Sequence, residues 1–383
     1  MKVNTTLKIV GIVLVASLAI TTAVYFVGDW HEPMKGEWKS GIVGGYDSEG
    51  RYLMLNSGEP VVLSVKSTKN GLFSGTLDGD DVCGTISGSE VFFMNTVADR
   101  KTTFFGKLDD GVLRGAISTV WKDGAICYAA EFSKKGGAFP EPVPTVQNLK
   151  FDAVDGQYLN ADSKFAKDLM GYGKQYTGIL QQTGRSVYGF MDIVSSGKVR
   201  SAPIVGTIVS YDLDFTNIYV VNSAGTAGMY KIYKNSAVFF TGIVMSDIEG
   251  PQLKRAVFDR YYVASGQTGI AVVWQDFSGT EWKCVSESYM SSKTPGSYSS
   301  RVDSIKFAPT QTASMIRGVL KVGDVELDMA FSMAYMDGIR LSTITESENN
   351  LYGTFNSTGT VLTIYGAWHD TDMHSVKYVF EKV

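Results

Sequence analysis

Asx-Gly pairs constrain this chain more than any other local feature. Asn70-Gly71, Asp78-Gly79, Asp110-Gly111 and Asp123-Gly124 each stand between short runs in which apolar and polar residues alternate. Such pairs supply the positive φ angles of two-residue hairpin turns, so the runs on either side are expected to be antiparallel neighbours. From Val61 to Ala129 the sequence therefore reads as a meander of short strands, each with one face in a core and one toward solvent. A total of 41 glycines against 9 prolines in 383 residues, with Thr, Val, Tyr and Phe recurring in short runs, favours strands and tight turns over long helices.

A pattern of longer range overlies the meander. Val120-Trp121-Lys122-Asp123 returns as Val273-Trp274-Gln275-Asp276 and, more loosely, as Ala367-Trp368-His369-Asp370. Recurrence on that scale is the mark of repeated units. The three tryptophans are expected to act as core plugs just before the last strand of each unit. Trp38-Lys39 and Trp282-Lys283 form a second, shorter echo, and an aromatic residue next to or two before glycine recurs in Phe73-Ser74-Gly75, Tyr188-Gly189 and Tyr352-Gly353.

Breakers divide the chain. Two glycines and three alternating prolines over residues 136–149 mark a linker, and the polar run Ser291 to Ser300 marks a second boundary. The expected fold class is mainly β: an N-terminal transmembrane helix followed by three related antiparallel β-meander units at 36–135, 150–290 and 295–383, barrel-like or sandwich. The middle unit is expected to open with a short helix at 163–170, where Phe165 and Leu169 fall on one face. Six or seven short strands bury their apolar faces by closing into an up-and-down barrel or by packing as a sandwich, and a single sheet running across the units is a third arrangement.

The N-terminus departs from all of this. Residues 7–28 are almost free of charge apart from Lys8, close to the roughly 20 apolar residues that cross a bilayer as a helix. Lys2 and Lys8 lie on the N-terminal side and Asp29 and Glu32 follow, so residues 1–6 are expected in the cytoplasm and the β region outside the cell, as in a single-pass signal-anchor protein. Cleavage near Thr21 or Ala23 is the alternative and would secrete the chain.

Chemistry is sparse. The formal net charge of −4 gives no general basic field for nucleic acid. His31, His369 and His374 are the only histidines, and no Ser-His-Asp or Cys-His arrangement, phosphate loop or dinucleotide fingerprint stands out. The densest group of potential ligands is His369-Asp370-Thr371-Asp372-Met373-His374. If its aspartates form a turn, His369, Asp372 and His374 are candidate metal ligands, with ordinary turn residues as the plainer reading. Asp78-Gly79-Asp80-Asp81 and Asp109-Asp110-Gly111 lack the ligand spacing of a helix-flanked calcium loop. Cys83 and Cys127 lie in one unit and are either a disulfide or small buried hydrophobes, with Cys284 apart. Asn356-Ser357-Thr358 is a glycosylation sequon on the expected outer side.

Export, repeated β units and the lack of a coherent catalytic set point to a membrane-anchored extracellular protein acting in binding or cell-surface assembly, with a protein or glycan partner and no cofactor. Two other readings remain open. One is an exported carbohydrate-active enzyme or carbohydrate-binding module, and the other is a lipocalin-like carrier with a void inside one barrel.

Overall fold

The structure is a computed structural model that describes residues 34–41, 44–54, 59–136, 143–147, 149–159, 169–171, 176–195, 198–211, 215–221, 226–233, 237–244, 257–264, 277–293, 302–312, 315–334, 338–343, 350–356, 359–369 and 372–383. The expected membrane segment at 7–28 lies outside them, and among the described residues no helix is long and apolar enough to cross a membrane.

The chain is mainly β, and the described strands form three antiparallel sheets. In the first, Gly36–Ser40 pairs with Val62–Lys69 on one side and with Gly124–Ser133 on the other, so the sheet joins its own far edge through eight strands. A side hairpin, Gly44–Asp47 and Tyr52–Met54, adds to the other half of Gly124–Ser133. In the second, Leu149–Leu159 pairs with both Tyr176–Thr183 and Val257–Ala264, which again joins first strand to last. The third is a closed eight-stranded barrel running from Glu281–Ser291 to Met373–Lys382. Closure removes the exposed edges that a strand-rich chain must otherwise protect.

The Asx-Gly turns behave as their chemistry requires, with one exception. Asn70 and Gly71 have φ of 52° and 84°, Asp78 and Gly79 49° and 95°, and Asp110 and Gly111 47° and 73°. Asp123-Gly124 differs. The turn there is Lys122-Asp123, and Gly124 is already in the strand, paired with Trp121. What glycine provides at this position is room, because a Cβ would stand 2.4 Å from Cζ2 of the Trp121 ring.

The tryptophan pattern is also corrected. Trp121 is only half-buried, at the rim of the first core with the Arg100 guanidinium 6.0 Å from its ring centroid. Trp121 ends the penultimate strand Val112–Trp121 and Trp368 lies one residue from the end of the penultimate strand Val361–His369, but the second sheet closes at Ala264, ahead of Trp274 in the chain, and Trp274 lies outside the described residues. Among the described side chains the fully buried tryptophans are Trp38 and Trp282, each on the first strand of its sheet. Trp38 stands opposite Leu63 and Trp282 opposite Ile305, both in the core. Their indole N–H groups are satisfied internally, Trp38 donating to the Met34 carbonyl at 2.7 Å and Trp282 to the Thr280 hydroxyl at 2.9 Å.

The interior of the first sheet is filled by rings. Phe93 stacks on Phe104 at 4.7 Å, and Phe73 and Phe132 meet that pair edge-on at 6.1 and 6.0 Å. Gly106 and Gly115 pair across the strands beneath Phe104, whose Cζ lies 2.6 and 2.8 Å from where their Cβ atoms would be. Four such rings bury a large apolar area with geometry specific enough to hold one packing.

A feature shared by all three sheets sits in the hairpin between their second and third strands. In each, the fourth residue after the two-residue turn is glycine: Gly75, Gly189 and Gly318. Each faces a register shift in the preceding strand, at Val65/Ser67, Ile179/Gln181 and Phe307/Gln311. The extra residue of a bulge tightens the local coil and drives the neighbouring backbone close. A Cβ on Gly75 would lie 2.0 Å from the Ser64 carbonyl oxygen, and one on Gly189 1.9 Å from that of Gly178. The aromatic-glycine pattern in the sequence thus marks barrel curvature in two of its three cases, Gly75 and Gly189.

The helix expected at 163–170 falls mostly outside the described residues. Its last two positions, Leu169 and Met170, are in the strand Leu169–Gly171, where pairing with Gln157 to Leu159 sets an extended backbone in place of a helical turn. The expected linker is tied down near its end, since the Gln182 side chain donates to the Pro144 carbonyl at 2.8 Å and accepts from the Val146 N–H at 2.7 Å.

Substituting Gly189→Ala is expected to destabilise the protein by about 1–3 kcal/mol, because the methyl group can be placed only by moving a strand. Urea unfolding followed by tryptophan fluorescence measures this, and a midpoint equal to the unsubstituted protein's contradicts it.

Candidate functional site

The outer faces of the sheets pack against one another, and these contacts create the concave surface where a ligand can be held. Between the first and second sheets the contact is apolar and extensive: Tyr46, Ala116, Val120, Ala125 and Cys127 meet Tyr188, Val205, Val209, Tyr219 and Val221. Phe105 stacks on Tyr219 at 5.9 Å, and the Tyr46 hydroxyl bonds that of Thr183 at 2.7 Å. An ionic group closes its margin, where Arg114 pairs with the buried Glu131 at 3.1 Å near the buried Arg185. Burial pulls the Arg185 guanidinium down, while Tyr211 and the Glu131 charge push it back up.

The contact between the first and third sheets is smaller and more polar. Cys83 and Met94 pack on Ala367 and Met373, the Asn70 amide donates to the Ser288 hydroxyl at 3.1 Å, and the Cys83 thiol donates to the Met373 carbonyl at 3.2 Å. At the edge of this contact lies a half-open cleft of about 180 Å³ lined by Asp81, Thr96 and Val97 from the first sheet and Ser292, Lys293, Asp372 and Met373 from the third. Lys293 Nζ stands 3.6 Å from Asp372 Oδ1. The third-sheet wall is fixed by a reciprocal pair in which the Ser292 N–H donates to the Met373 carbonyl at 2.9 Å and the Met373 N–H to the Ser292 hydroxyl at 3.2 Å. Beneath the cleft the Cys83 thiol is pushed up to about 12 by burial, against the Ser375 hydroxyl, which lowers it, and with the Asp81 and Asp372 charges adding to the rise.

Asp372 and Met373, at the C-terminal side of the expected ligand cluster, line this cleft. Asp372 faces Lys293. His374 is buried, and its Nδ1 bonds the Tyr289 hydroxyl, with the two rings stacked 5.6 Å apart. Register pairs His374 with Trp368 and His369 with Met373, so the histidines are one step apart along the ladder and not a cross-strand pair. Among the described residues no group of three His, Cys, Asp or Glu side chains converges as a metal site; His31 lies outside them.

Tyr289 and Lys293 were not found by reading the sequence. They join the hairpin only because Glu281–Ser291 pairs with Met373–Lys382 across the barrel seam, about as far apart in the third unit as two residues can be. The cysteines resolve as free thiols. Cys83 faces the third sheet and Cys127 the second, so the two buried side chains serve different contacts. In the sequon, the Asn356 side-chain oxygen accepts from the Thr360 and Val361 N–H groups and its amide donates to the Thr360 hydroxyl, so it closes its own loop. Ser357 and Thr358 lie outside the described residues.

No protein-family model matches the chain. No curated protein matches it either. Among solved structures, it is similar to a porin-like protein from Bacteroides uniformis at 10% identity and a TM-score of 0.12, over 63% of this chain and 100% of that one. Overlap of that quality carries no weight for fold or role.

With Cys83 and Cys127 buried and their thiols raised by burial, both are expected to resist iodoacetamide at pH 8 in the folded protein and to react in urea without reductant. Peptide mass spectrometry reads this directly. A Cys83-Cys127 disulfide-linked peptide, or rapid labelling of either thiol in the folded chain, contradicts it.

Proposed function

We propose that the chain is a single-pass membrane protein whose β sheets lie outside the cell and act in binding or surface assembly. The observation that carries the reading is the apolar run at 7–28, with Lys2 and Lys8 on its N-terminal side and Asp29 and Glu32 after it. The packing is consistent with such a role. The interior of the first sheet holds the buried rings of Phe73, Phe93, Phe104 and Phe132, which counts against lipocalin-like use of that sheet. Partners would meet the outer faces and the clefts between sheets, where a protein or glycan has access. The carbohydrate reading keeps one point in its favour, the convergence of Asp81 and Asp372 on one cleft.

Expression of the full chain with a C-terminal epitope, in spheroplasts of a bacterial host, tests the placement. The chain is expected to stay with membranes through alkaline carbonate extraction and to lose its epitope to external protease. Release by carbonate with the N-terminal segment intact, or an epitope protected until lysis, contradicts it. Cleavage between residues 20 and 30 selects the secreted alternative.

A further inference from the structure

Sulfur is concentrated where the first and third sheets meet. Of the four buried side chains at the centre of that contact, Cys83, Met94, Ala367 and Met373, three carry sulfur, in a chain with 3 cysteines and 14 methionines among 383 residues. The larger contact between the first and second sheets holds one sulfur residue, Cys127, among its ten buried side chains. The strands dictate this grouping. Cys83 on Asp80–Ser87 and Met94 on Glu90–Val97 are register partners, so both side chains leave the same face of the first sheet. Met373 opens the last strand of the third sheet and packs against them, its carbonyl oxygen accepting from the Cys83 thiol at 3.2 Å. Cys83 and Met94 are fully buried and Met373 nearly so. Met373 also lines the half-open cleft, so the cluster lies one side chain from solvent.

The donor set has a definite preference. One thiolate and two thioethers are soft ligands, suited to copper(I) and poorly suited to magnesium, calcium or manganese, which take oxygen. Each methionine has three rotatable bonds, so its thioether can turn to an ion without a shift of the strand. We propose that Cys83, Met94 and Met373 bind one copper(I) ion between the first and third sheets, with the thiolate and both thioethers as its ligands. On binding, the Cys83 S–H bond breaks, its proton passes to the buffer, a sulfur–copper bond forms and the metal stays in the +1 state. The Met373 carbonyl loses the thiol as a donor, and an ion held from both sides takes over as the tie across the contact. The site does not depend on where the chain resides, so failure of the membrane placement leaves it standing.

Competition with ferrozine, under argon and with the full chain in detergent, tests the site. One copper(I) per chain is expected to pass from the ferrozine complex to the protein, and X-ray absorption at the copper edge is expected to show three sulfur neighbours. Met94→Leu and Met373→Leu nearly conserve side-chain volume and remove one thioether each. Both are expected to weaken binding about tenfold while melting like the unsubstituted protein without copper. Cys127→Ala and Cys284→Ala, which leave the cluster intact, are expected to bind copper(I) as the unsubstituted protein does. No transfer of copper, fewer than three sulfur neighbours, binding unchanged in both methionine variants, or binding lost in Cys284→Ala would overturn the proposal.

Discussion

Gly36–Ser40 is hydrogen-bonded to Val62–Lys69 along one edge and to Gly124–Ser133 along the other, and Glu281–Ser291 is held in the same way between its second strand and Met373–Lys382. These seams govern the packing of the whole molecule. Closure turns a row of local hairpins into a barrel with an inside, and the inside is where Trp38 and Trp282 lose all contact with water. A tryptophan on the closing strand buries more area than any other side chain there and fixes its orientation through one N–H bond. Closure also frees the outer faces, which no longer have edges to protect and can pack on neighbouring sheets.

That outer packing divides the molecule's labour. The contact between first and second sheets is built from aromatic and aliphatic side chains, with the buried Glu131 paired to a half-buried Arg114 at its margin. The first and third sheets meet through fewer, smaller groups and leave the cleft at their edge. Charged groups collect there because a cleft open to water lets them remain solvated, whereas the barrel interior would require each to be paired. The chain's few chemical features are thus concentrated by the way sheets fail to fill the space between them.

Much of the architecture was legible in the sequence because hairpins are local. Asn70-Gly71, Asp78-Gly79 and Asp110-Gly111 announced turns whose φ angles could be met by few other pairs. The Trp-x-Asp recurrence misled at Trp121 for a physical reason: a tryptophan at a strand end near a turn can rest on a glycine at the rim, as Trp121 does on Gly124, without entering the core. The echo of Trp38 in Trp282 was visible but could not be ranked above it, since burial on the closing strand depends on a pairing between the two ends of a unit. The same distance hid Tyr289 and Lys293 from the hairpin they serve. The shared glycine opposite a bulge was half visible, as a pattern with no stated cause until the Ser64 and Gly178 carbonyls were seen beneath Gly75 and Gly189.

Amide hydrogen exchange along the closing strands tests this account most directly. A strand bonded on both sides exchanges only when the barrel opens, whereas an edge strand exchanges by local fraying. The amides of Trp38, Lys39, Trp282 and Lys283 are predicted to exchange as slowly as those of the inner strands Arg100–Asp109 and Val112–Trp121. Exchange of the closing strands many times faster than those inner strands would mean that the seams are open, and the filled interior and the cleft argued from them would fall together.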